Sequence, residues 1–168
     1  CFDYSQQEPR LVVHYASLDQ DSSVFNVKDA YQAGDADFHT IVAKMADIPR
    51  TAAKTINLGL FYGMGKAKLQ AELGVSKDKA EELFSIYHER VPFVKTLTRS
   101  VSNRAQQRGQ IRTLLGRLCR FHLWEPNTFG MHKALPFEQA VQEHGPGIKR
   151  AYTYKALNKL IQGSAADM

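Results

Sequence analysis

The sequence contains little cysteine and no long hydrophobic run. Only Cys1 and Cys119 occur in 168 residues, and they form no CxxC pair. This excludes a disulfide framework and a cysteine-based zinc site, and it is typical of a reducing, cytoplasmic setting. No apolar segment approaches the roughly 20 residues that a membrane span requires, and no signal-peptide pattern occurs. We therefore expect no membrane partner.

Acidic residues are also missing from one long segment. Residues 90–124 contain eight Lys and Arg and no Asp or Glu. By contrast, residues 1–49 carry a net charge of −5, residues 50–120 carry +9, and the remainder carries +1. Such one-sided clustering indicates a polyanionic partner, most commonly nucleic acid. A merely solvated basic face remains the alternative.

Local patterns predict a mostly helical α/β fold. Residues 1–4 are a strand candidate, and Ser5 with Glu8 has the spacing of a capping box for a helix that continues to about Ser17. Residues 19–37 suggest a loop with room for a short helix, and 122–148 suggest another loop. Further helices are predicted over 39–45, 50–62, 66–73, from Ser76, from Pro92 to Gly109, and from about Lys149. Residues 110–121 suggest a strand pair around Gly116.

One predicted helix carries an ordered set of side chains. Arg50, Lys54, Leu58 and Tyr62 are spaced by four residues, so they share a slowly winding face about 18 Å long. The two cations occupy the N-terminal half, where the helix dipole also favours an anion. A triphosphate could lie there, with the sugar and base at the apolar and aromatic end. The alternative is an amphipathic helix with solvated cations and with Leu58 and Tyr62 in the core.

Five segments together resemble family A DNA polymerases of the bacterial polymerase I and phage type. DYSQQEPRLVVHYAS resembles motif A, and RTAAKTINLGLFYG resembles motif B. FHT at 38–40 resembles the start of the fingers, TLLGR at 113–117 resembles TLFGR, and NKLIQGSAAD at 158–167 resembles NxxxQGxAAD. Their order and approximate spacing agree with the family, and they cover nearly the whole chain.

The resemblance implies a template-directed DNA polymerase that transfers dNTPs onto a primer 3′-hydroxyl. It implies a partial palm at 1–37, fingers at 38–145, and a helix at 146–168 that returns to the palm. Both ends look cut, and the His-Asp-Glu motif C is absent. We therefore expect an inactive fragment that needs the rest of the polymerase chain, with primer–template DNA and dNTPs as its other partners.

The same resemblance implies a metal site and a nucleotide site. Asp3 and the Tyr4 carbonyl would hold Mg²⁺, one of two ions that activate the primer hydroxyl and neutralise the leaving pyrophosphate. From the residues alone, the favoured interpretation of Asp3 is a turn residue at the end of a strand. The implied dNTP-binding residues have distinct roles. Arg50, Lys54 and His39 would contact the triphosphate, and Lys54 would also donate a proton to pyrophosphate. Tyr62 would lie near the templating base, and Glu8 would block a ribose 2′-hydroxyl.

The implied DNA contacts lie later in the chain. Asn158 and Gln162 resemble polar residues near the primer–template minor groove. Arg112 and Arg117 flank TLLGR and would contact template phosphates. Arg10 resembles a motif A arginine, which we expect to be structural.

The sequence departs from the family at several positions. Leu58 stands where Phe or Tyr is usual beside the incoming nucleotide, which puts sugar discrimination and incorporation rate in doubt. Gln7 and Pro9 replace Ile and Leu of motif A. Tyr154 stands where many bacterial members have Arg, and this part of the chain resembles phage members.

Two other functions remain open from sequence. A single-subunit RNA polymerase shares the logic of the Arg–Lys–Tyr-Gly helix, but it needs room for a 2′-hydroxyl where Glu8 stands. A non-catalytic, basic DNA-binding remnant would need only the cations of residues 90–124. A His-Asp-Glu motif downstream of Met168 would support the DNA polymerase, and its absence from a complete gene would support the remnant.

Overall fold

The computed structural model describes residues 6–19, 22–34, 37–62, 64 and 66–168. The helices within these ranges are α1 Gln7–Leu18, α2 Phe25–Gln32, α3 Phe38–Ala46, α4 Arg50–Phe61, α5 Lys66–Leu73, α6 Lys77–Arg90, α7 Pro92–Arg108, α8 Phe137–His144 and α9 Ala156–Asp167. The strands are β1 Gln110–Arg112, β2 Leu118–Arg120, β3 Leu123–Pro126, β4 Leu135–Pro136 and β5 Ile148–Arg150. Short 3₁₀ turns occupy Ser22–Val24 and Thr153–Lys155. The predicted mostly helical α/β class is confirmed.

Backbone contacts divide the chain into two compact units, Cys1–Arg99 and Ser100–Met168. The division falls within α7, which continues as one helix from Pro92 to Arg108. It does not coincide with the subdomain boundaries expected after residues 37 and 145. Assignment of the segments to palm and fingers stays a prediction.

The first unit is built around aromatic side chains that join three helices. Phe38 of α3 lies 5.9 Å from Phe61 of α4 and 6.4 Å from Phe93 of α7, measured between ring centroids. All three rings are buried, as are Val42 and Ile56 on the same helices. Burial of large apolar surface is the main favourable term in folding, so this cluster fixes α3 against α4.

Gly59 lies within α4 rather than at its end. A Cβ atom at this position would lie 2.6 Å from Cδ1 of Leu69, a fully packed residue of α5. Gly59 therefore permits the close approach of α5 to α4. Gly63 and Gly65, which follow the helix predicted over 50–62, lie outside the described residues.

The second unit contains two small antiparallel sheets. β1 pairs with β2 in the register Gln110↔Arg120, Ile111↔Cys119 and Arg112↔Leu118, so the predicted strand pair around Gly116 is confirmed. The second sheet has the strand order β4-β3-β5, and α8 follows β4 directly. Trp124 of β3 stacks against Arg150 of β5, with 4.5 Å between the guanidinium carbon and the ring centroid.

The TLLGR turn is docked onto the C-terminal half of α9. The Thr113 hydroxyl donates to Asp167 Oδ2 over 2.6 Å, and Arg117 Nε lies 2.8 Å from Asp167 Oδ1. Arg117 also donates to the Gly163 carbonyl over 2.7 Å. A Cβ at Gly163 would approach Thr113 Cγ2 to 2.9 Å, so glycine is needed for this contact. Two of the segments that carry the family resemblance therefore stabilise each other.

The predicted capping box of Ser5 and Glu8 is wrong. The N-cap of α1 is Gln6, which has left-handed backbone angles (φ 53°, ψ 40°) and makes no side-chain cap. Its side-chain oxygen instead accepts from the Phe38 backbone N–H over 2.9 Å and from the Tyr31 hydroxyl over 3.1 Å. Tertiary partners therefore replace the local cap that the spacing of Ser5 and Glu8 suggests.

The short helix for which residues 19–37 have room is present as α2. Two other local predictions need correction. β3, β4 and α8 occupy much of the expected loop 122–148. The last helix begins at Ala156 rather than Lys149, because residues 148–150 pair with β3. Such pairing between distant segments leaves no local periodic signal. The strand predicted for residues 1–4 lies outside the described residues.

Candidate functional site

The helix α4 places the predicted nucleotide-binding side chains on its accessible side. Arg50 and Lys54 are exposed, Leu58 is half-buried, and Tyr62, which follows the last turn, is 40% exposed. The opposite side of α4 is buried against the unit's core (Ala53, Ile56, Asn57, Gly59 and Phe61). The alternative in which Tyr62 belongs to the core therefore does not hold.

Arg50 is oriented by two side chains at the start of α3. Its Nε donates to Asp37 Oδ2 over 2.7 Å and to the Thr40 hydroxyl over 3.1 Å. Asp37 is also the N-cap of α3 and accepts from the His39 backbone N–H and from the Thr40 hydroxyl. Since a guanidinium has five N–H donors, the four on the terminal nitrogens are left for an anion.

The Asp37 carboxylate stays ionised in this arrangement. Burial alone would raise its pKa, but the hydrogen bonds from Thr40 and Arg50 outweigh that effect and lower the pKa below its ordinary value. Asp37 is not among the site residues predicted from the sequence. An Asp directly before the helix-forming FHT segment is a typical N-cap, and this pattern could have identified Asp37 from the sequence.

His39 is buried at the start of α3 and contacts the buried side of α4. Only 8% of its surface is exposed, and its Nδ1 lies 3.0 Å from Nδ2 of Asn57. Burial lowers the pKa of His39 below its ordinary value, Arg50 and Lys54 lower it further, and the Asp37 carboxylate opposes them. His39 is therefore neutral at pH 7, and both predicted cations of α4 lie close enough to act on it.

Glu8 meets Tyr62 at the other end of α4. The Tyr62 hydroxyl donates to Glu8 Oε2 over 2.9 Å at an exposed position. The structure thus brings these two predicted residues together, although they are 54 positions apart in sequence. Six predicted nucleotide-binding residues consequently follow one helix: His39, Arg50 and Lys54 at its N-terminal half, Leu58 in its third turn, and Tyr62 with Glu8 at its C-terminal end.

The predicted DNA-binding residues all lie in the second unit. Asn158 and Gln162 are one turn apart on α9, on the side away from its buried residues Leu157, Leu160 and Ile161. Gln162 is exposed and Asn158 is half-buried. Arg117 is engaged by Asp167 and Gly163, as described above, so its guanidinium has a structural partner.

Arg112 belongs to a basic cleft that the sequence analysis did not define. Arg104 and Arg108 of α7 and Gln110, Ile111, Arg112 and Leu118 of the β1–β2 hairpin line a cavity of about 230 Å³. Arg120 lies directly opposite Gln110 in the hairpin register, so its side chain is on the same face of the hairpin. The acid-free segment is the sequence signal for this basic cleft. Which of its residues line the cleft depends on the hairpin register.

Asp3 and Tyr4, the predicted metal-binding residues, lie outside the described residues. Within the described ranges, no group of three or more His, Cys, Asp or Glu side chains could hold a metal ion. Arg10 lies over the Tyr31 ring at 4.7 Å from its centroid, a contact between α1 and α2. None of the helices in the described part of the chain is long and apolar enough to cross a membrane.

The family model for DNA polymerase family A matches residues 1–168. The chain belongs to DNA polymerase family A. Within this family it is 32% identical to a DNA-directed DNA polymerase of Pseudomonas phage M6, over 98% of the chain and 28% of the phage protein. It is 30% identical to the thermostable DNA polymerase I of Thermus aquaticus, over 99% of the chain and 18% of that enzyme.

A solved structure has a similar fold. It is the POL domain of Pol1 from M. smegmatis in complex with DNA primer-template and dNTP, with a TM-score of 0.70 and 29% sequence identity. The match covers 98% of this chain and 26% of the M. smegmatis chain. The chain thus spans between about a sixth and little more than a quarter of the length of these relatives.

Proposed function

We propose that these residues supply the nucleotide-binding part of a template-directed DNA polymerase. The observation that carries the proposal is the accessible side of α4, where Arg50 and Lys54 lie next to a neutral, buried His39. Two cations one turn apart on α4, with the imidazole of α3 beside them, suit a triphosphate, since an N–H of each can bond a phosphate oxygen. Family membership supports the same function.

The proposed path of the nucleotide follows α4 from its N-terminus to its C-terminus. Arg50 and Lys54 neutralise the triphosphate, and Lys54 protonates the leaving pyrophosphate as a general acid. Leu58 contacts the sugar and base, and Tyr62 lies near the nascent pair. Glu8, held by Tyr62, occupies the space of a ribose 2′-hydroxyl and so favours deoxynucleotides over the ribonucleotides of an RNA polymerase.

The metal and the DNA partners complete the proposal. Asp3 and the Tyr4 carbonyl would hold Mg²⁺, and two such ions supply Lewis-acid stabilisation of the transferred phosphoryl group. Primer–template DNA contacts Asn158, Gln162 and Arg112, and the remaining palm and thumb come from the rest of the polymerase chain. We propose that the enzyme acts in the cytoplasm, that of the host where the source is viral.

Substitution of Lys54 tests the nucleotide site. In the polymerase that contains these residues, we expect Lys54→Ala to lower kcat/KM for dNTP incorporation about 10- to 100-fold, because loss of a charge-assisted bond costs roughly 1.5–3 kcal/mol. The Kd for primer–template DNA should change less than twofold. The matched control is Lys79→Ala, which removes an exposed lysine paired with Glu82 on α6. Equal losses of incorporation and of DNA binding would contradict the role of Lys54.

A further inference from the structure

Three polar side chains from three helices form a hydrogen-bonded chain on the buried side of α4. The Tyr87 hydroxyl of α6 donates to Oδ1 of Asn57 on α4. Nδ2 of the same amide lies 3.0 Å from Nδ1 of His39 on α3. Tyr87 and Asn57 are fully buried, and His39 is nearly so. None of these hydrogen bonds is therefore exchanged for one with bulk water.

The Tyr87 proton sets the direction of the whole chain. Burial raises the pKa of Tyr87, so the phenol keeps its proton and needs an acceptor. Oδ1 of Asn57 is that acceptor, which turns the amide nitrogen towards His39. An amide nitrogen only donates, so Nδ1 of His39 must accept.

The opposite arrangement leaves a buried donor without its acceptor. If the Asn57 amide turned over, Oδ1 could accept from a protonated Nδ1 of His39. Nδ2 would then face the Tyr87 oxygen, and the phenolic proton would lose the oxygen that it now bonds. A buried donor without an acceptor costs the full desolvation penalty, which a single hydrogen bond on the other side does not offset.

We propose that Tyr87 and Asn57 are positioning residues that hold His39 in the neutral tautomer with its proton on Nε2. A second proton would have to enter at Nδ1, where the Asn57 N–H already points. The charged groups around the ring are Asp37, which favours the imidazolium, and Arg50 and Lys54, which oppose it. Tyr87 adds no charge from α6.

This tautomer determines what His39 can offer a ligand. Nε2, on the opposite edge of the ring from Asn57, becomes a neutral N–H donor. If the proposed nucleotide site is correct, this donor bonds a triphosphate oxygen while Arg50 and Lys54 supply the charge. The contact then does not vary with the protonation of His39 near neutral pH.

The test observes the His39 ring directly by nitrogen NMR of the chain labelled with ¹⁵N-histidine. We expect His39 to be protonated at Nε2 and not at Nδ1, and to titrate below the ordinary pKa of histidine. Tyr87→Phe keeps the ring but removes the hydroxyl, so Asn57 can turn, Nδ1–H becomes populated and the titration midpoint rises. The control Tyr154→Phe, at an exposed tyrosine of the second unit, should change neither quantity.

Two results would overturn the proposal. One is a wild-type His39 protonated at Nδ1, which is decisive even where Tyr87→Phe fails to fold. The other is a folded Tyr87→Phe variant with an unchanged tautomer and midpoint. Neither readout needs nucleotide, so both are independent of the proposed function.

A binding measurement then separates the two proposals. We expect Tyr87→Phe to weaken dNTP binding by the full-length polymerase about two- to tenfold, the effect of one neutral hydrogen bond. Wild-type protein with the Nε2–H tautomer but without any dNTP binding would contradict the proposed function and leave the positioning of His39 supported. A Tyr87→Phe variant with the altered tautomer but wild-type dNTP affinity would contradict the role of Nε2–H in binding.

Discussion

Leu58 is the residue at which the resemblance to family A polymerases predicts the clearest departure from the family pattern. It is half-buried on the accessible side of α4, between Lys54 and Tyr62. Leucine provides apolar contact to a nucleotide, but it has no π face for stacking and no hydroxyl. The sequence identified this position only through the resemblance, since a leucine on a helix is otherwise unremarkable.

We expect Leu58→Phe to strengthen dNTP binding by the polymerase about two- to tenfold, because aromatic stacking contributes roughly 0.5–1.5 kcal/mol beyond apolar burial. Transient incorporation kinetics at varied dNTP concentration would measure the apparent Kd. Leu18→Phe, at an exposed position of α1, is the control and should leave it unchanged. An apparent Kd in Leu58→Phe equal to that of the wild type would place the nucleotide away from this residue.

Glu8 shows how tertiary contacts choose between interpretations of a single residue. Its spacing from Ser5 suggests a capping box, and the family resemblance suggests a block to the 2′-hydroxyl. In the structure Gln6 is the N-cap of α1, and the Glu8 carboxylate accepts from Tyr62. The capping function is therefore unavailable, and the proposed selectivity function remains.

At the scale of elements, α7 and the β1–β2 hairpin form the basic cleft. The acid-free segment predicted a polyanion partner, but only the hairpin register shows which cations lie together. Several guanidinium groups around one cleft repel each other, and a polyanion relieves that repulsion. This makes the cleft the strongest candidate for contacts with DNA phosphates.

We expect the double variant Arg108→Gln/Arg112→Gln to weaken primer–template binding similarly for all sequences. The slope of log K against log salt should become about 1.8 units less steep, since each phosphate contact contributes about 0.9. The control Arg90→Gln removes an exposed cation of the same acid-free segment on α6. A salt slope equal to wild type in the double variant would show that the cleft does not bind DNA.

Arg117 illustrates the limit of predicting such contacts from motifs. The TLLGR resemblance suggested that it binds template phosphate, like Arg112. In the structure it pairs with Asp167 and joins the turn to α9. Its contribution to DNA binding stays a prediction, and any substitution there would also loosen the turn.

Across the whole molecule, stability should depend on pH through His39, which is buried, and His88, which is half-buried. Burial lowers the pKa of both rings, and neighbouring cations lower both further. Both rings therefore bind a proton less readily in the folded chain than in the unfolded chain, which takes up protons below about pH 6.5. The unfolded state then binds more protons, so stability falls as the pH drops below 6.5.

We expect the free energy of unfolding in urea to be lower at pH 5.5 than at pH 7.5, by at most about 1 kcal/mol for each of the two histidines. His39→Gln and His88→Gln should each reduce this difference. His122→Gln, at an exposed position, should not. Identical pH dependence in all variants would show that other groups control acid sensitivity.

Features that depend on neighbouring residues follow from the sequence. The periodic helices α3 to α7 lie close to their predicted bounds, and Ser76 caps α6 as predicted, accepting from the Lys79 backbone N–H over 3.3 Å. The motifs together determined the family. Local spacing is enough for these features because helix hydrogen bonds and caps join residues only three or four positions apart.

Contacts between distant residues depend on the tertiary structure. The β3–β5 pairing, the packing of TLLGR onto α9 and the Tyr87–Asn57–His39 chain all join segments far apart in sequence. A buried polar group is satisfied by whichever partner the packed core brings within about 3 Å, and no local period encodes that partner. The residues of α4 could be named from the sequence, but the arrangement that orients Arg50 and fixes the protonation of His39 could not.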